Sequence, residues 1–127
     1  MPVPKPSVVL FVDHVRRMAD FYRQVAGMTA VHADAEHIVL ESWGMQLVLH
    51  ALPGSGSREV PSPPTMRSDA YIKACFPVDD IAAARAVAAR LGGFLYGPER
   101  EWEARGFRAC DGWDPEGNVF QVRLTTR

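Results

Sequence analysis

Two short stretches of this chain repeat one pattern, and the repetition limits the folds open to it. Val12-Asp-His-Val15 and Val78-Asp-Asp-Ile81 each follow an apolar run and each open a helical periodicity. In the first half, Val8–Val12 is β-branched and apolar, which predicts a buried strand. Asp13 is placed to cap a helix with its carboxylate. Val15, Met18, Ala19, Tyr22 and Val25 then recur at helical spacing, and Gly27 stops the helix. Three short strands follow, at Thr29–Ala33, His37–Glu41 and Met45–His50, separated by turn-forming residues. In the second half, Ala70–Phe76 reads as a strand, and Ile81, Ala84, Val87, Ala88 and Leu91 line a helix that ends at Gly92-Gly93. Strands at Phe94–Tyr96, Phe107–Trp113 and Val119–Leu124 complete it. Both halves therefore read β-α-β-β-β, an internal repeat in element order.

Residues 53–69 separate the halves. They are rich in Pro, Gly and Ser, lack periodicity and read as a mobile or extended linker. Module one is thus 7–52 and module two 70–126, within a single domain, since 127 residues leave no room for two ordinary domains. Pro2, Pro4 and Pro6 favour an extended N-terminal arm. The 14 Lys and Arg nearly balance 15 Asp and Glu, leaving a net charge of −1. That argues against a nucleic-acid-binding protein, which needs a basic face, and gives no polybasic membrane signal. No apolar run is long enough to span a membrane and no signal peptide is evident, so the expected location is the cytoplasm. Cys75 and Cys110 make no disulfide framework, which suits a reducing compartment.

Three stretches resemble a known superfamily. They are Val12-Asp-His-Val-Arg-Arg-Met-Ala-Asp-Phe-Tyr22, its counterpart Val78-Asp-Asp-Ile81, and Gly106-Phe-Arg108 followed by Asp114-Pro-Glu-Gly-Asn118. In this order they resemble the vicinal oxygen chelate superfamily of glyoxalase I, bleomycin resistance proteins and extradiol dioxygenases. The resemblance implies an α+β fold in which two tandem βαβββ modules form an open, curved mixed sheet, a cup with the helices outside. It also implies a ligand inside the cup and, in the bleomycin-binding branch, a homodimer whose cups are built across two chains with strand or arm exchange.

Catalytic members of that superfamily hold a divalent metal on the first and last strands of each module. The resemblance places those positions at Ser7, Val48, Lys73 and Gln121, with Gln46 and His50 one pleat from Val48. Serine is a poor ligand, and a protonated lysine has no free lone pair. No metal and no other cofactor is therefore expected, and no catalytic residues are assigned. His14, His32 and His37 read as surface residues.

Strand alternation then gives the lining of the cup. Ser7, Val9 and Phe11 face it from the first strand, and Gln46, Val48 and His50 from the fourth. Tyr71, Lys73 and Cys75 face it from the fifth, Phe107, Ala109, Asp111 and Trp113 from the seventh, and Val119, Gln121 and Arg123 from the last. Trp43, Trp102 and Trp113 lie near strand ends or in loops, where a large ring offers wide contact at little entropic cost. The charged run around Trp102, with Glu99, Arg100, Glu101, Glu103 and Arg105, reads as a solvated face or a gate at the cup mouth. The expected ligand-binding residues are Phe11, Trp43, His50, Lys73, Trp102, Phe107, Asp111, Trp113 and Gln121.

This lining suits a metal-free protein that sequesters a bulky aromatic or peptide antibiotic-like molecule. Bleomycin itself fits poorly, because it is cationic and a net charge of −1 supplies no strong attraction. The alternatives are a metal-dependent lyase, isomerase or dioxygenase of the same superfamily, and an accessory protein in natural-product biosynthesis.

Overall fold

The computed structural model describes residues 3–54 and 58–126. Residues 55–57 of the predicted linker and Pro2 of the predicted arm lie outside the described residues. The chain runs β1 (Ser7–Val12), α1 (Val15–Val25), β2 (Thr29–Ala33), β3 (His37–Ser42), β4 (Met45–Ala51), β5 (Ala74–Pro77), α2 (Ile81–Arg90), β6 (Phe94–Leu95), a 3₁₀ turn (Pro98–Arg100), β7 (Trp102–Ala104), β8 (Phe107–Trp113) and β9 (Val119–Thr125). This is the expected α+β arrangement of two βαβββ modules.

The strands form two sheets, ordered β1-β4-β3-β2 and β5-β9-β8-β6, with β7 added beside β8. The first strand of each module runs parallel to its last, β1 with β4 and β5 with β9, and every other pair is antiparallel. The repeat seen in the sequence is therefore a repeat of strand pairing. β1 and β5 are both edge strands, and the two sheets share no strand pair among the described residues.

One core serves both modules. Helix α1 buries Val15, Met18, Ala19, Tyr22 and Val25, as its periodicity predicts, and also Phe21. The Phe21 ring meets Phe120 of β9 edge-on at 5.6 Å, and Tyr22 packs on Phe76 and Phe120 at 5.5 and 5.6 Å. So α1 covers its own sheet with one stripe and inserts two rings into the other module. Gly93 makes room for this. A Cβ there would sit 2.3 Å from the Phe21 ring.

Asp13 does not cap α1 as expected. The N-cap is His14, with no side-chain cap. The cap comes instead from module two. The Asp13 and His14 N–H groups each donate to the Glu116 carboxylate at 2.8 Å. In the same turn the fully buried Asp114 accepts from the Tyr22 hydroxyl at 2.6 Å, from the Glu116 and Asn118 N–H groups at 2.9 Å, and from the Asn118 amide. Burial pushes the Asp114 carboxyl up to about 6, against the pull of those donors. Burial likewise pushes the Tyr22 hydroxyl well up, helped by the charge of Asp114.

Two further readings change. The predicted strand Ala70–Phe76 begins only at Ala74, leaving Tyr71 and Ile72 outside any ladder and largely exposed. Its partner β9 starts at Val119, so residues before Lys73 would face the turn whose groups Asp114 already holds. The described part of the predicted mobile linker is docked. Arg58 pairs with the buried Asp13 at 3.5 Å, and the Arg67 N–H donates to the Gly117 carbonyl at 2.8 Å. Thr65 crosses so close to Gly117 that a Cβ there would lie 2.0 Å from the Thr65 carbonyl oxygen. No helix among the described residues is long and apolar enough to cross a membrane.

Two outcomes follow from this packing. Gly117→Ala, with φ +86 as well as the clash, lifts the linker off the turn and raises its cleavage in limited proteolysis. Asp114, with its folded value raised, holds a proton between about pH 4 and 6 that the unfolded chain has released. Its contribution therefore favours folding below about pH 4 and is lost as pH rises through about 6. Urea unfolding of the protein and of Asp114→Asn across pH 4–7 reads this directly. The stability difference shifts against the parent between pH 4 and 6 and is flat above.

Candidate ligand-binding face

Each sheet turns one face to the shared core and leaves the other open. On the first sheet the open face is set by strand alternation and by register. Phe11, His50 and His37 form one row across β1, β4 and β3. Val9, Val48 and Val39 form the next, and Ser7, Gln46 and Glu41 the third. The His50 ring lies 5.1 Å from Phe11 and 4.3 Å from His37. His50 Nδ1–H donates to the Ala51 carbonyl at 2.8 Å, which fixes its tautomer. Asp34 gathers the neighbouring turn. It accepts from His32 Nε2 and from the Glu36 and His37 N–H groups, each at 2.8 Å, and these bonds, led by His32, hold its carboxyl well below the usual range. Lys5 and Gln46 both bond Glu41 at the far end. His37 is thus a neighbour of His50 that the sequence reading left on the surface. The clue was available, since a hairpin turn at residues 43–44 sets His37 opposite His50.

The second sheet carries a continuous polar chain. Lys73 Nζ donates to Asp111 at 3.1 Å. Gln121 Nε2 donates to the other oxygen of Asp111 at 3.0 Å, and Arg123 Nε donates to Gln121 Oε1 at 2.6 Å. The Arg123 guanidinium lies over the Phe107 ring at 4.3 Å, and Arg105 lies 5.0 Å from the same ring. Trp113 stacks on Phe94 at 5.3 Å. Trp102, opposite Ala109 in β7, adds an indole on the same face, 39% exposed. Strand β7 is not in the sequence reading, because three residues with alternating charge carry no strand periodicity.

The charged segment around Trp102 is not loose. Burial pushes the Glu101 carboxyl up, but hydrogen bonds from Arg108 (2.6 Å) and Arg85 outweigh it and hold the group below its usual range. Arg85 Nε also donates to the Tyr96 carbonyl at 2.7 Å, and Arg100 lies over the Tyr96 ring at 4.0 Å. Glu101 therefore anchors the strand that presents Trp102.

The structure thus brings Lys73, Trp102, Phe107, Asp111, Trp113 and Gln121 together on one open face, and sets Phe11 and His50 on the other. Trp43 departs from the expectation. It sits at the β3–β4 hairpin tip, 90% exposed with φ +50, beside a cleft formed with Gly27 of the α1 end and Asp79 of the α2 start. A two-residue hairpin turn projects its side chains beyond the sheet, so Trp43 lines neither open face.

A cleft of about 310 Å³ lies between the edge strands β1 and β5. Its walls are apolar, from Val8, Val9, Leu10, Leu47, Ile72 and Phe76, with Tyr71 at the mouth. The positions that a metal would need do not make a donor set. Lys73 is an ammonium paired with Asp111, the one carbonyl oxygen of Gln121 is taken by Arg123, and Val48 has no donor atom. Among the described residues no three His, Cys, Asp or Glu side chains are grouped to hold an ion.

The glyoxalase-like domain family matches residues 7–123. The chain belongs to that family. Among solved structures, this glyoxalase-like chain is similar to a glyoxalase/bleomycin resistance protein/dioxygenase family enzyme from Burkholderia phytofirmans, at 19% identity over 94% of this chain and 96% of that one, with a TM-score of 0.67. It is also similar to the fosfomycin resistance protein FosX from Mesorhizobium loti, at 14% identity over 99% and 94%, with a TM-score of 0.65. A mobile-metagenome integron cassette protein of V. cholerae aligns at 24% identity over 98% and 97%, with a TM-score of 0.63. At these identities the likenesses are of fold, and they agree with the two βαβββ modules of the glyoxalase-like domain. No curated protein matches the sequence.

Glu101→Ala leaves Arg85 without a carboxylate and Arg108 with only the exposed Glu103 at 3.4 Å. Loss of hydrogen bonds to a charged group costs about 2 kcal/mol. The expected result is a clear fall in melting temperature together with a red shift and broadening of Trp fluorescence as Trp102 loosens.

Proposed function

We propose that this glyoxalase-like protein binds a bulky, partly aromatic, antibiotic-like small molecule without a metal, in a cup completed by a second copy of the chain. The observation that carries the reading is the chain of bonds from Lys73 through Asp111 and Gln121 to Arg123. At the positions where the superfamily's metal enzymes need ligands, it commits the polar atoms to one another. What remains for a guest is aromatic and polar surface: Trp102, Phe107 and Trp113 on one sheet, Phe11 and His50 on the other. Such a surface gains affinity by stacking and burial, each good aromatic contact adding about 1 kcal/mol beyond area.

The second copy is supported by what a single chain leaves uncovered. Phe11 is 55% exposed, Ile72 74% and Tyr71 fully exposed, all on or beside the unpaired edges of β1 and β5. An apolar side chain of that size in water favours a partner surface, and an unpaired edge strand favours another strand. Resistance by sequestration follows the same logic and is in keeping with the fold likeness to a fosfomycin resistance protein. The free thiols Cys75 and Cys110 suit a reducing compartment, and we place the protein in the cytoplasm on that ground.

Three measurements test this. Light scattering coupled to gel filtration gives a dimer, weakened by Tyr71→Ser with Ile72→Ser. Elemental analysis of the purified protein gives no stoichiometric zinc, iron or manganese. Finding one would turn the assignment to a metal-dependent lyase, isomerase or dioxygenase. Titration with a panel of aromatic and peptide antibiotics quenches Trp fluorescence, and Trp102→Ala weakens the response at least several-fold. A flat response across the panel, with another protein persistently co-purifying, would favour an accessory role in natural-product biosynthesis.

A further inference from the structure

On the open face of the second sheet the acid–base pairs do not close. Lys73 and Asp111 cancel each other at 3.1 Å. Arg123 and Arg105 are left over. Among the described residues neither lies within ion-pair distance of a carboxylate, while Arg85 and Arg108 on the opposite face share Glu101. The Arg123 guanidinium is nonetheless held in place. Its Nε–H is spent on the neutral carbonyl oxygen of Gln121 at 2.6 Å, and its plane lies over Phe107 at 4.3 Å. Gln121 is only 5% exposed, and its own amide is fixed by Asp111, so the support cannot swing away. The Nη donors of Arg123 enter no hydrogen bond among the described residues. Arg105 brings a second positive charge to the same ring at 5.0 Å.

A guanidinium that is charged at every accessible pH, oriented through Nε and stacked on a ring, presents its remaining N–H groups as a fork matched to two oxygens of one anion. Holding it in place beforehand removes most of the ordering cost that a flexible arginine would pay on binding. The register sets what lies beside that anion. Arg123, Ala109 and Trp102 are aligned across β9, β8 and β7. Two strand spacings place the Trp102 backbone about 10 Å from that of Arg123.

We propose that Arg123, assisted by Arg105, anchors an oxyanion on the ligand, a carboxylate, phosphonate or phosphate, while the ligand's flat apolar part lies toward Trp102. This rests on the reading of the open face as the binding surface. It narrows the aromatic or peptide guest to an aryl acid or an acidic peptide.

The test uses matched aryl pairs, 2-naphthoate against 2-naphthamide and naphthylphosphonate against its neutral diester, titrated into the full-length protein by calorimetry. The acid of each pair binds about ten-fold or more tightly than its neutral partner at low salt, and the preference shrinks as salt is raised. Arg123→Gln collapses that preference, Arg123→Lys restores part of it without the two-oxygen selectivity, and Arg105→Gln lowers it by a smaller factor. Circular dichroism and melting temperature establish that each variant is folded. Equal affinity of acid and neutral partner, or a preference that survives Arg123→Gln in a folded variant, overturns the anchor while leaving the binding face intact. Binding of neither partner, with Trp102 fluorescence unmoved, overturns the anchor and the binding face together.

Discussion

Two buried carboxylates in one five-residue turn hold the halves of this protein in register. Asp114 takes the Tyr22 hydroxyl, and Glu116 takes the N–H groups at residues 13 and 14, so the start of α1 and a point about two turns along it are both fixed by atoms about a hundred positions away. A helix leaves its first N–H groups without internal partners, and a negative charge there also meets the positive end of the helix dipole. The usual solution is a local side chain. Here the partner is remote, so α1 cannot be fully capped until module two has folded against it. The same turn forms the shelf on which the linker lies, through Gly117 against Thr65 and Arg67. One interaction set therefore fixes the angle between the modules, the course of the linker and the separation of the two edge strands.

That arrangement decides where ligand chemistry can sit. With both helices and both inner faces committed to a common core, the outer faces of the sheets are left as large surfaces with alternating side chains of mixed character. The cleft between β1 and β5 joins them. Neither sheet alone encloses a volume, which is why the exposed Phe11, Tyr71 and Ile72 matter more than their number suggests. They lie on or beside the unpaired edges of β1 and β5.

Much of this was legible in the sequence, and the parts that were not share a cause. Strand alternation assigned Phe11, His50, Phe107, Asp111, Trp113 and Gln121 to open faces because successive side chains of a strand point to opposite sides, and Lys73, one residue before β5, keeps that alternation. Period and capping rules placed α2 nearly to the residue, with Asp80 accepting from the Ala83 N–H. What failed depended on contacts distant in sequence. Phe21 falls outside the helical stripe that covers the first sheet, and it is buried only because Phe120 and Gly93 receive it. Asp13 looks like a cap, yet Glu116 has that role and Asp13 turns to Arg58. Trp43 is a local matter, since its turn sets it at the hairpin tip and off the strand faces. The first four residues of the fifth predicted strand have strand-like side chains and no strand to pair with.

The distribution of free valences on the open faces bears on whether this is a site for chemistry or for recognition. On the second sheet the carboxylate and the ammonium are committed to their neighbours: Asp111 to Lys73 and Gln121, and Lys73 to Asp111. The groups left with unfilled bonding capacity are a guanidinium that never loses its proton and rings that have none to lose. The first sheet differs in one respect. His50 commits Nδ1–H to the Ala51 carbonyl, which leaves Nε2 as a lone pair facing the same side as Phe11 and His37. That lone pair can accept a hydrogen bond from an N–H or O–H group brought to the face.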